Sequence, residues 1–125
     1  MKLQPDKFDV PAISGYGPGW VGVDGERIET SLVLDSHGGR TDWACKGYDE
    51  LRRSHFDQLA ALGPELVVFG SGGRLRFPRP EWLQALVARG IGVETMDTQA
   101  ACRTYNILAG EGRHVVAALI LETAA

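Results

Sequence analysis

The residues best suited to chemistry in this sequence lie in two short segments, a glycine-rich stretch and the start of a helix. Gly70 to Gly73 directly follow the apolar strand 66–69, and open α/β sheets bind ligands at the carboxyl ends of their strands. Thr98 opens a helix, on which Arg103 and Asn106 lie one turn apart. If the strands before both segments are parallel, the segments share one edge of the sheet. The sequence therefore predicts a pocket for a small polar or anionic ligand, formed by Gly70, Ser71, Gly72, Thr98, Arg103 and Asn106.

Each part of this predicted pocket also has a purely structural interpretation. The backbone N–H groups of Gly70 to Gly73, with Arg74 and Arg76, are suited to an anion, but glycines are equally typical of a tight turn with positive φ angles. The stretch lacks the Gly-Lys-Ser/Thr ending of a phosphate-binding loop and is too short for a dinucleotide fingerprint. Arg103 and Asn106 can instead bond to neighbouring carbonyls, because buried polar groups usually satisfy the backbone. The sequence leaves both interpretations open.

No pattern of residues indicates a catalytic or metal centre. Cys102 lies at the border of an apolar helix face, so we expect a buried thiol and not a nucleophile with a lowered pKa. His37, His55 and His114 do not have the spacing of metal ligands, and no carboxylate accompanies them in a recognised pattern. We therefore predict no catalytic residue, no metal and no cofactor, and we favour a protein that is not an enzyme.

The last third of the chain supplies most of the predicted core. Apolar residues, Ile107 among them, cover more than half of the helix that begins at Thr98, which predicts a helix packed on two sides. Gly110 and Gly112 end this helix, since glycine readily adopts the left-handed turn at a helix C-terminus. Residues 115–121 contain no polar side chain. A strand that is apolar on both faces belongs in the middle of a sheet.

The rest of the chain predicts an α/β order of elements. Residues 1–18 are expected to be an irregular arm, because prolines and glycines interrupt them. Asp24-Gly25 predicts a hairpin whose return strand covers 27–34. This hairpin either extends the main sheet or forms a small separate layer. The remaining predicted elements are strands at 40–45, 66–69 and 91–95, a helix at 49–62 capped by Asp49, and a helix between Pro80 and Gly90 whose Trp82, Leu83, Leu86 and Val87 face the core.

Length and charge restrict the classes of function. A chain of 125 residues forms one domain, here 1–125, with a core of its own. The net charge of −3 and the pI of about 5.5 argue against a general nucleic-acid binder. No apolar run is long enough to span a bilayer, so we predict no membrane insertion. Two unpaired cysteines and no export signal favour the cytoplasm.

Several motifs in the expected order resemble one known family of small domains. They are LVVFGSG at 66–72, GVETMDT at 92–98 and AACRTYNIL at 100–108, continued by EGR at 111–113 and VAALI at 116–120. The sequence is similar here to the domain shared by mitochondrial complex I assembly factor 3, the adipogenesis-associated domain protein and uncharacterised bacterial proteins. The family often has Gly-Thr-Gly where this chain has Gly70-Ser71-Gly72, a departure that keeps the hydroxyl.

The resemblance implies a three-layer α/β fold with a central mixed sheet, and no established enzymatic activity. We therefore predict a single α/β domain with helices packed on that sheet and an N-terminal β-hairpin region. The favoured function is that of a non-catalytic interaction protein, similar to the assembly factor, with another protein as its partner. The alternative is a domain that binds a small molecule or anion in the glycine-loop pocket, with weak enzymatic activity at most.

Overall fold

A computed structural model describes residues 10–122, and the first half of the predicted N-terminal arm lies outside this range. The described residues form eight strands and three α-helices. The strands are β1 (Ile13–Gly17), β2 (Trp20–Val23), β3 (Glu26–Ile28), β4 (Leu32–Asp35), β5 (Arg40–Asp42), β6 (Leu66–Gly70), β7 (Gly92–Met96) and β8 (Val115–Leu119). The helices are α1 (Arg53–Ala61), α2 (Gln84–Ala88) and α3 (Thr98–Gly110), with 3₁₀ turns at Tyr48–Glu50 and Pro80–Leu83.

Strand β8 occupies the centre of the larger sheet, as its apolar sequence predicts. This sheet has five strands in the order β5-β4-β8-β6-β7. Strand β8 pairs antiparallel with β4 and parallel with β6, and β6 pairs parallel with β7, so the sheet is mixed. Because β6, β7 and β8 run in the same direction, their carboxyl ends meet at one edge.

Each face of this sheet supports a separate layer of the core. Along β8, Val115, Ala117 and Leu119 contact one apolar cluster, whereas Val116 and Ala118 contact the other. This alternation follows from the two-residue period of a strand. One cluster includes residues of α1 and α2, and the other includes residues of α3 and the N-terminal hairpin. The predicted three-layer α/β domain with a hairpin region is confirmed.

The N-terminal region is more regular than predicted, and its return strand is divided. Ile13–Gly17 is not an irregular arm but the strand β1, which pairs with β2 in a three-stranded sheet β1-β2-β3. The prediction of one continuous return strand over 27–34 is wrong. Strand β3 belongs to this small sheet, whereas β4 belongs to the five-stranded sheet. At the break, the buried Ser31 accepts hydrogen bonds from Leu121 N–H at Oγ (3.0 Å) and from Trp43 N–H at its carbonyl (3.0 Å). These bonds satisfy the backbone where the chain passes between sheets.

Two of the helix predictions also need correction. The helix predicted from Asp49 begins at Arg53, where His55 Nδ1 accepts the Arg52 N–H at 3.1 Å. Val87 is 71% exposed and Ile107 62% exposed, although both were expected to contribute to buried faces. In the long helix α3, the buried residues are Thr98, Ala101, Cys102 and Tyr105, whose i, i+3, i+4, i+7 spacing defines one face. Within 10–122, no helix is long and apolar enough to cross a membrane.

Gly70 lets α3 pack unusually close to β6. A Cβ atom at this position would lie 3.0 Å from Thr98 Cα, 3.1 Å from Ala101 Cβ and 3.0 Å from Leu119 Cδ2. Two of these neighbours cannot move away easily, because one is helix backbone and the other is a Cβ attached to it. The absence of a side chain at Gly70 therefore sets the distance between the helix and the sheet.

Thr98 joins three elements at the same edge of the sheet. Its side chain is buried, and Oγ1 donates to the Ile120 carbonyl and accepts from Gly72 N–H, both at 2.8 Å. The Thr98 N–H donates in turn to the Gly72 carbonyl at 2.9 Å. The start of α3 is thus bonded to the loop after β6 and to the end of β8.

We predict that Gly70→Ala destabilises the fold by about 1–3 kcal/mol, because the added methyl overpacks the contact between helix and strand. The measurement is the free energy of unfolding in guanidinium chloride. Gly92→Ala is a matched control in the neighbouring parallel strand, since a Cβ there meets nothing within 4 Å. Equal effects of the two substitutions would contradict the assigned role of Gly70.

We predict that Thr98→Val, which keeps the shape of the side chain, lowers the free energy of unfolding by roughly 2–4 kcal/mol, because it leaves the Gly72 N–H and the Ile120 carbonyl without partners in a buried position. Thr98→Ser keeps the hydroxyl and should cost about 1 kcal/mol for the lost methyl. Chemical denaturation of both variants checks the order. A Thr98→Ser variant as unstable as Thr98→Val would assign the effect to the methyl group.

Candidate functional site

A cleft opens at the carboxyl ends of β6 and β8, at the edge where the sequence predicts a site. Its volume of about 440 Å³ lies within the usual range for ligand sites. It is surrounded by residues from the β1–β2 turn, the loop after β6, the start of α3 and the end of β8. They are Gly17, Pro18, Gly19, Gly72, Gly73, Thr98, Gln99, Ile120, Leu121 and Glu122.

Four of the six predicted pocket residues lie together here. Gly72 and Thr98 line the cleft, and Gly72 has the positive φ of 105° that the turn interpretation expects. Gly70 and Ser71 are buried beside them. The Ser71 hydroxyl is bonded within the loop, because Oγ donates to the Arg74 carbonyl at 2.7 Å and accepts from Arg76 N–H at 2.9 Å. Ser71 therefore shapes the loop, while its neighbours form the wall.

Arg103 and Asn106 contact the N-terminal hairpin and do not line the cleft. Asn106 Oδ1 accepts from Ile13 N–H at 2.9 Å, and its Nδ2 donates to the Ile13 carbonyl at 2.7 Å. Arg103 Nη1 donates to the Tyr16 hydroxyl at 3.0 Å. A helix rises about 1.5 Å per residue, so Asn106 lies roughly 12 Å along the axis from Thr98. The later turns of α3 consequently meet β1, and for Asn106 the backbone-bonding interpretation is correct.

Arg76 forms an ion pair with Glu122 at the back of the loop. Arg76 Nη2 lies 2.6 Å from Glu122 Oε1 and donates to the Ser71 carbonyl at 2.7 Å. Glu122 Oε2 accepts from Tyr48 N–H at 3.0 Å. Burial is the largest influence on the pKa of Glu122 and raises it, but the hydrogen bonds from Arg76 and Tyr48 outweigh burial, and the pKa lies below its ordinary value. Arg76 is thus paired within the protein and is not held ready for an anionic ligand.

Two glycines make room for this ion pair. A Cβ at Gly72 would lie 2.5 Å from Arg76 Nη2 and 2.8 Å from Glu122 Oε1, and a Cβ at Gly47 would lie 2.8 Å from Glu122 Oε2. Glu122 carries the one charge among the cleft-lining residues described above. Because Arg76 neutralises that charge, the residues that line the cleft suit a neutral ligand better than a charged one.

Both thiols are poor nucleophiles. Burial raises the pKa of Cys102 to about 12 and that of Cys45 to about 11. Cys102 is completely buried, as its place on α3 predicts. Because the thiolate is the reactive form, a pKa this far above neutrality leaves very little nucleophile. Neither cysteine is therefore suited to covalent chemistry at neutral pH.

A second polar cluster, which the sequence analysis missed, lies where β4 ends and β8 begins. His114 Nε2 lies 2.8 Å from Asp35 Oδ1, and the same oxygen accepts from His37 N–H at 2.9 Å. The rings of His37 and His114 stack with centroids 4.2 Å apart. Only the antiparallel pairing of β4 with β8 brings these residues together, so spacing along the chain carries no signal for them. Within residues 10–122, no three His, Cys, Asp or Glu side chains are arranged to hold a metal ion.

The chain matches the model of one protein family and is similar to curated and solved relatives. The family is described as a protein of unknown function (DUF498/DUF598), and the match covers residues 13–120. NADH dehydrogenase [ubiquinone] 1 alpha subcomplex assembly factor 3 of Homo sapiens is 33% identical over 120 residues, which are 94% of this chain and 65% of that protein. The Bos taurus protein of the same name is 41% identical over 110 residues, 86% of this chain and 59% of that protein.

A crystal structure from Bordetella parapertussis has the same fold. It is 38% identical to this chain, with a TM-score of 0.85, and the alignment covers 90% of this chain and 97% of that one. The chain matches nearly the full length of that structure, but it spans only 65% and 59% of the length of the human and bovine relatives. The resemblance stated from the motifs at 66–72, 92–98 and 100–108 is confirmed. The chain is similar to the two mammalian proteins named as assembly factor 3, and it belongs to the DUF498/DUF598 family of proteins of unknown function.

Proposed function

We propose that this chain is a non-catalytic interaction protein of the cytoplasm, which binds another protein in a role like that of a complex I assembly factor. One observation carries the proposal. The similarity to the human protein named as assembly factor 3 extends over 94% of this chain, so the whole domain is the shared part. A function that resides in the common domain is the simplest explanation of such coverage.

The polar groups of the fold are consistent with this role, because most of them stabilise the fold itself. The Ser71 hydroxyl, the Arg76–Glu122 ion pair and both polar atoms of Asn106 are bonded within the protein. His55 Nδ1 accepts from Arg52 N–H, and its Nε2 lies 2.8 Å from the Ala44 carbonyl. Both ring nitrogens of His55 are thus occupied, which leaves it unsuited to moving a proton for a substrate.

A second candidate function is the binding of a small molecule in the cleft, and the volume of about 440 Å³ favours it. The wall contributes the Gln99 side chain, the Glu122 carboxylate and the apolar surfaces of Ile120 and Leu121. Because Arg76 and Tyr48 already bond to Glu122, these groups suit a small neutral ligand that hydrogen-bonds to the Gln99 amide. In this version of the predicted pocket, Gly72 and Thr98 keep their places, and Gln99 and Glu122 replace Arg103 and Asn106.

We predict that an affinity-tagged copy of the chain, cross-linked in the cells that naturally make it, recovers subunits of an NADH dehydrogenase complex. Quantitative mass spectrometry measures the enrichment, and an excess of untagged chain should compete it away because both copies bind the same surface. Gly92→Ala, which leaves the fold intact, should recover the same subunits. Recovery of none of these subunits above the competed background would refute the assembly-factor role.

We predict for the second candidate that a ligand of the cleft raises the melting temperature of the purified chain by mass action. The screen uses amines, sugars, nucleosides and inorganic anions. Gln99→Ala should remove the shift, because it deletes a wall group, whereas Arg103→Ala should leave the shift intact, because Arg103 bonds Tyr16. A shift lost with Arg103→Ala would restore the pocket as first predicted from sequence, and no shift with any compound would eliminate the cleft as a site for these classes.

A further inference from the structure

The loop formed by residues 73–79 exposes two large apolar side chains. Leu75 is 53% exposed and Phe77 66% exposed. Single exposed apolar residues are common on protein surfaces and need no explanation. These two are alternate residues of one loop, which lies shortly after β6 and contributes Arg76 to the ion pair with Glu122.

Hydrogen bonds to Ser71 and Tyr48 tie the 73–79 loop to the rest of the fold. At its start, Ser71 Oγ donates to the Arg74 carbonyl (2.7 Å) and accepts from Arg76 N–H (2.9 Å). At its far end, the Tyr48 hydroxyl donates to the Phe77 carbonyl at 2.5 Å. Between them, Arg76 is fixed by Glu122 at 2.6 Å. When a partner binds Leu75 and Phe77, the backbone of this loop therefore loses little conformational entropy.

The charge of this loop is opposite to that of the whole chain. The chain has a net charge of −3, but residues 71–80 contain three arginines and no acidic residue. Glu122 neutralises Arg76. Arg74 and Arg79 are exposed and make no ion pair with the residues between 10 and 122. The surface thus offers two apolar side chains beside two positive charges that are not ion-paired, although the Arg79 guanidinium lies 5.7 Å from the centroid of the Trp82 ring.

We infer that the 73–79 loop is the docking surface for another protein. The partner binds through an acidic segment whose carboxylates flank an apolar pocket on its surface. The inference deepens the proposed function and rests on it, because it names the surface that an interaction protein would use. Phe77 is the anchor that enters the pocket, as aromatic hot-spot residues do, and Arg74 and Arg79 pair with the rim carboxylates.

A membrane surface suits this loop less well than a protein does. One myristoyl chain gives only marginal membrane binding, and Leu75 with Phe77 offers less apolar surface than such a chain. A protein pocket binds one rigid aromatic side chain far more strongly, because it surrounds that side chain on all sides.

The experiment replaces Phe77 by the photoreactive p-benzoylphenylalanine in the full chain and irradiates the cells that naturally make it. Sequencing of the cross-linked peptide identifies the segment that Phe77 contacts. We expect an acidic segment of a different protein, and a yield about tenfold or more above that from the same replacement at Val87, which is 71% exposed on α2. Arg74→Glu with Arg79→Glu should lower the yield by about tenfold, because both rim charges are reversed.

A control double variant, Arg27→Glu with Arg53→Glu, changes the net charge equally at exposed positions outside the loop, where each arginine pairs with a nearby carboxylate, and should leave the yield unchanged. Equal yields at Phe77 and Val87, a cross-linked segment without acidic residues, or a cross-link to a second copy of the chain would each overturn the inference. So would sedimentation of the chain with phosphatidylglycerol vesicles that is lost in Phe77→Ser.

If the tagged chain recovers NADH dehydrogenase subunits but Phe77 cross-links to none, the docking surface fails while the proposed function stands. If Phe77 cross-links to an acidic segment of a protein unrelated to that complex, the docking surface stands while the assembly-factor role fails.

Discussion

The close contact between α3 and the carboxyl ends of β6 and β8 is the constraint on which the rest of the structure depends. Gly70 permits the approach, since no side chain stands between β6 and the backbone of Thr98. Thr98 then uses one hydroxyl to satisfy both Gly72 N–H and the Ile120 carbonyl. An apolar residue at 98 would fill the same space, but it would leave two buried backbone groups unpaired. The edge of the sheet is therefore held by packing and by hydrogen bonding at the same residue.

This constraint also determines where polar chemistry is possible. Because both faces of the sheet are covered by apolar layers, unpaired polar groups can lie only at the ends of the strands. At the edge that holds the cleft, the structure bonds Ser71, Arg76 and Glu122 to one another and to the backbone. The groups that remain free there are the cleft wall near Gln99 and the exposed side chains of the 73–79 loop. Any activity of this edge has to begin with one of these two features.

The sequence predicts the interior of this fold well and its periphery poorly. The unbroken apolar run at 115–121 has one stable location, the centre of a covered sheet, so β8 could be placed from residue types alone. The break of the return strand at Ser31 depends on hydrogen bonds to Leu121 and Trp43, which are distant in sequence. Ile107 has an apolar side chain but lies on the outer side of α3. Periodicity could not exclude it, because the apolar arc is wider than the face that makes contact.

The candidate site was predictable to the same extent. Gly72 and Thr98 could be assigned to one edge, since parallel strands place their carboxyl ends together. The partners of Arg76 and Arg103 could not be assigned, because a guanidinium carries several donors that suit a ligand, a carboxylate or a carbonyl equally well. The tertiary fold decides among these partners. It brings Glu122 to Arg76, and this pairing has a consequence for function. The ion pair ties the loop to the end of β8 and neutralises its central positive charge. Recognition by the 73–79 loop therefore depends on its apolar side chains, and Arg74 and Arg79 determine which partner they accept.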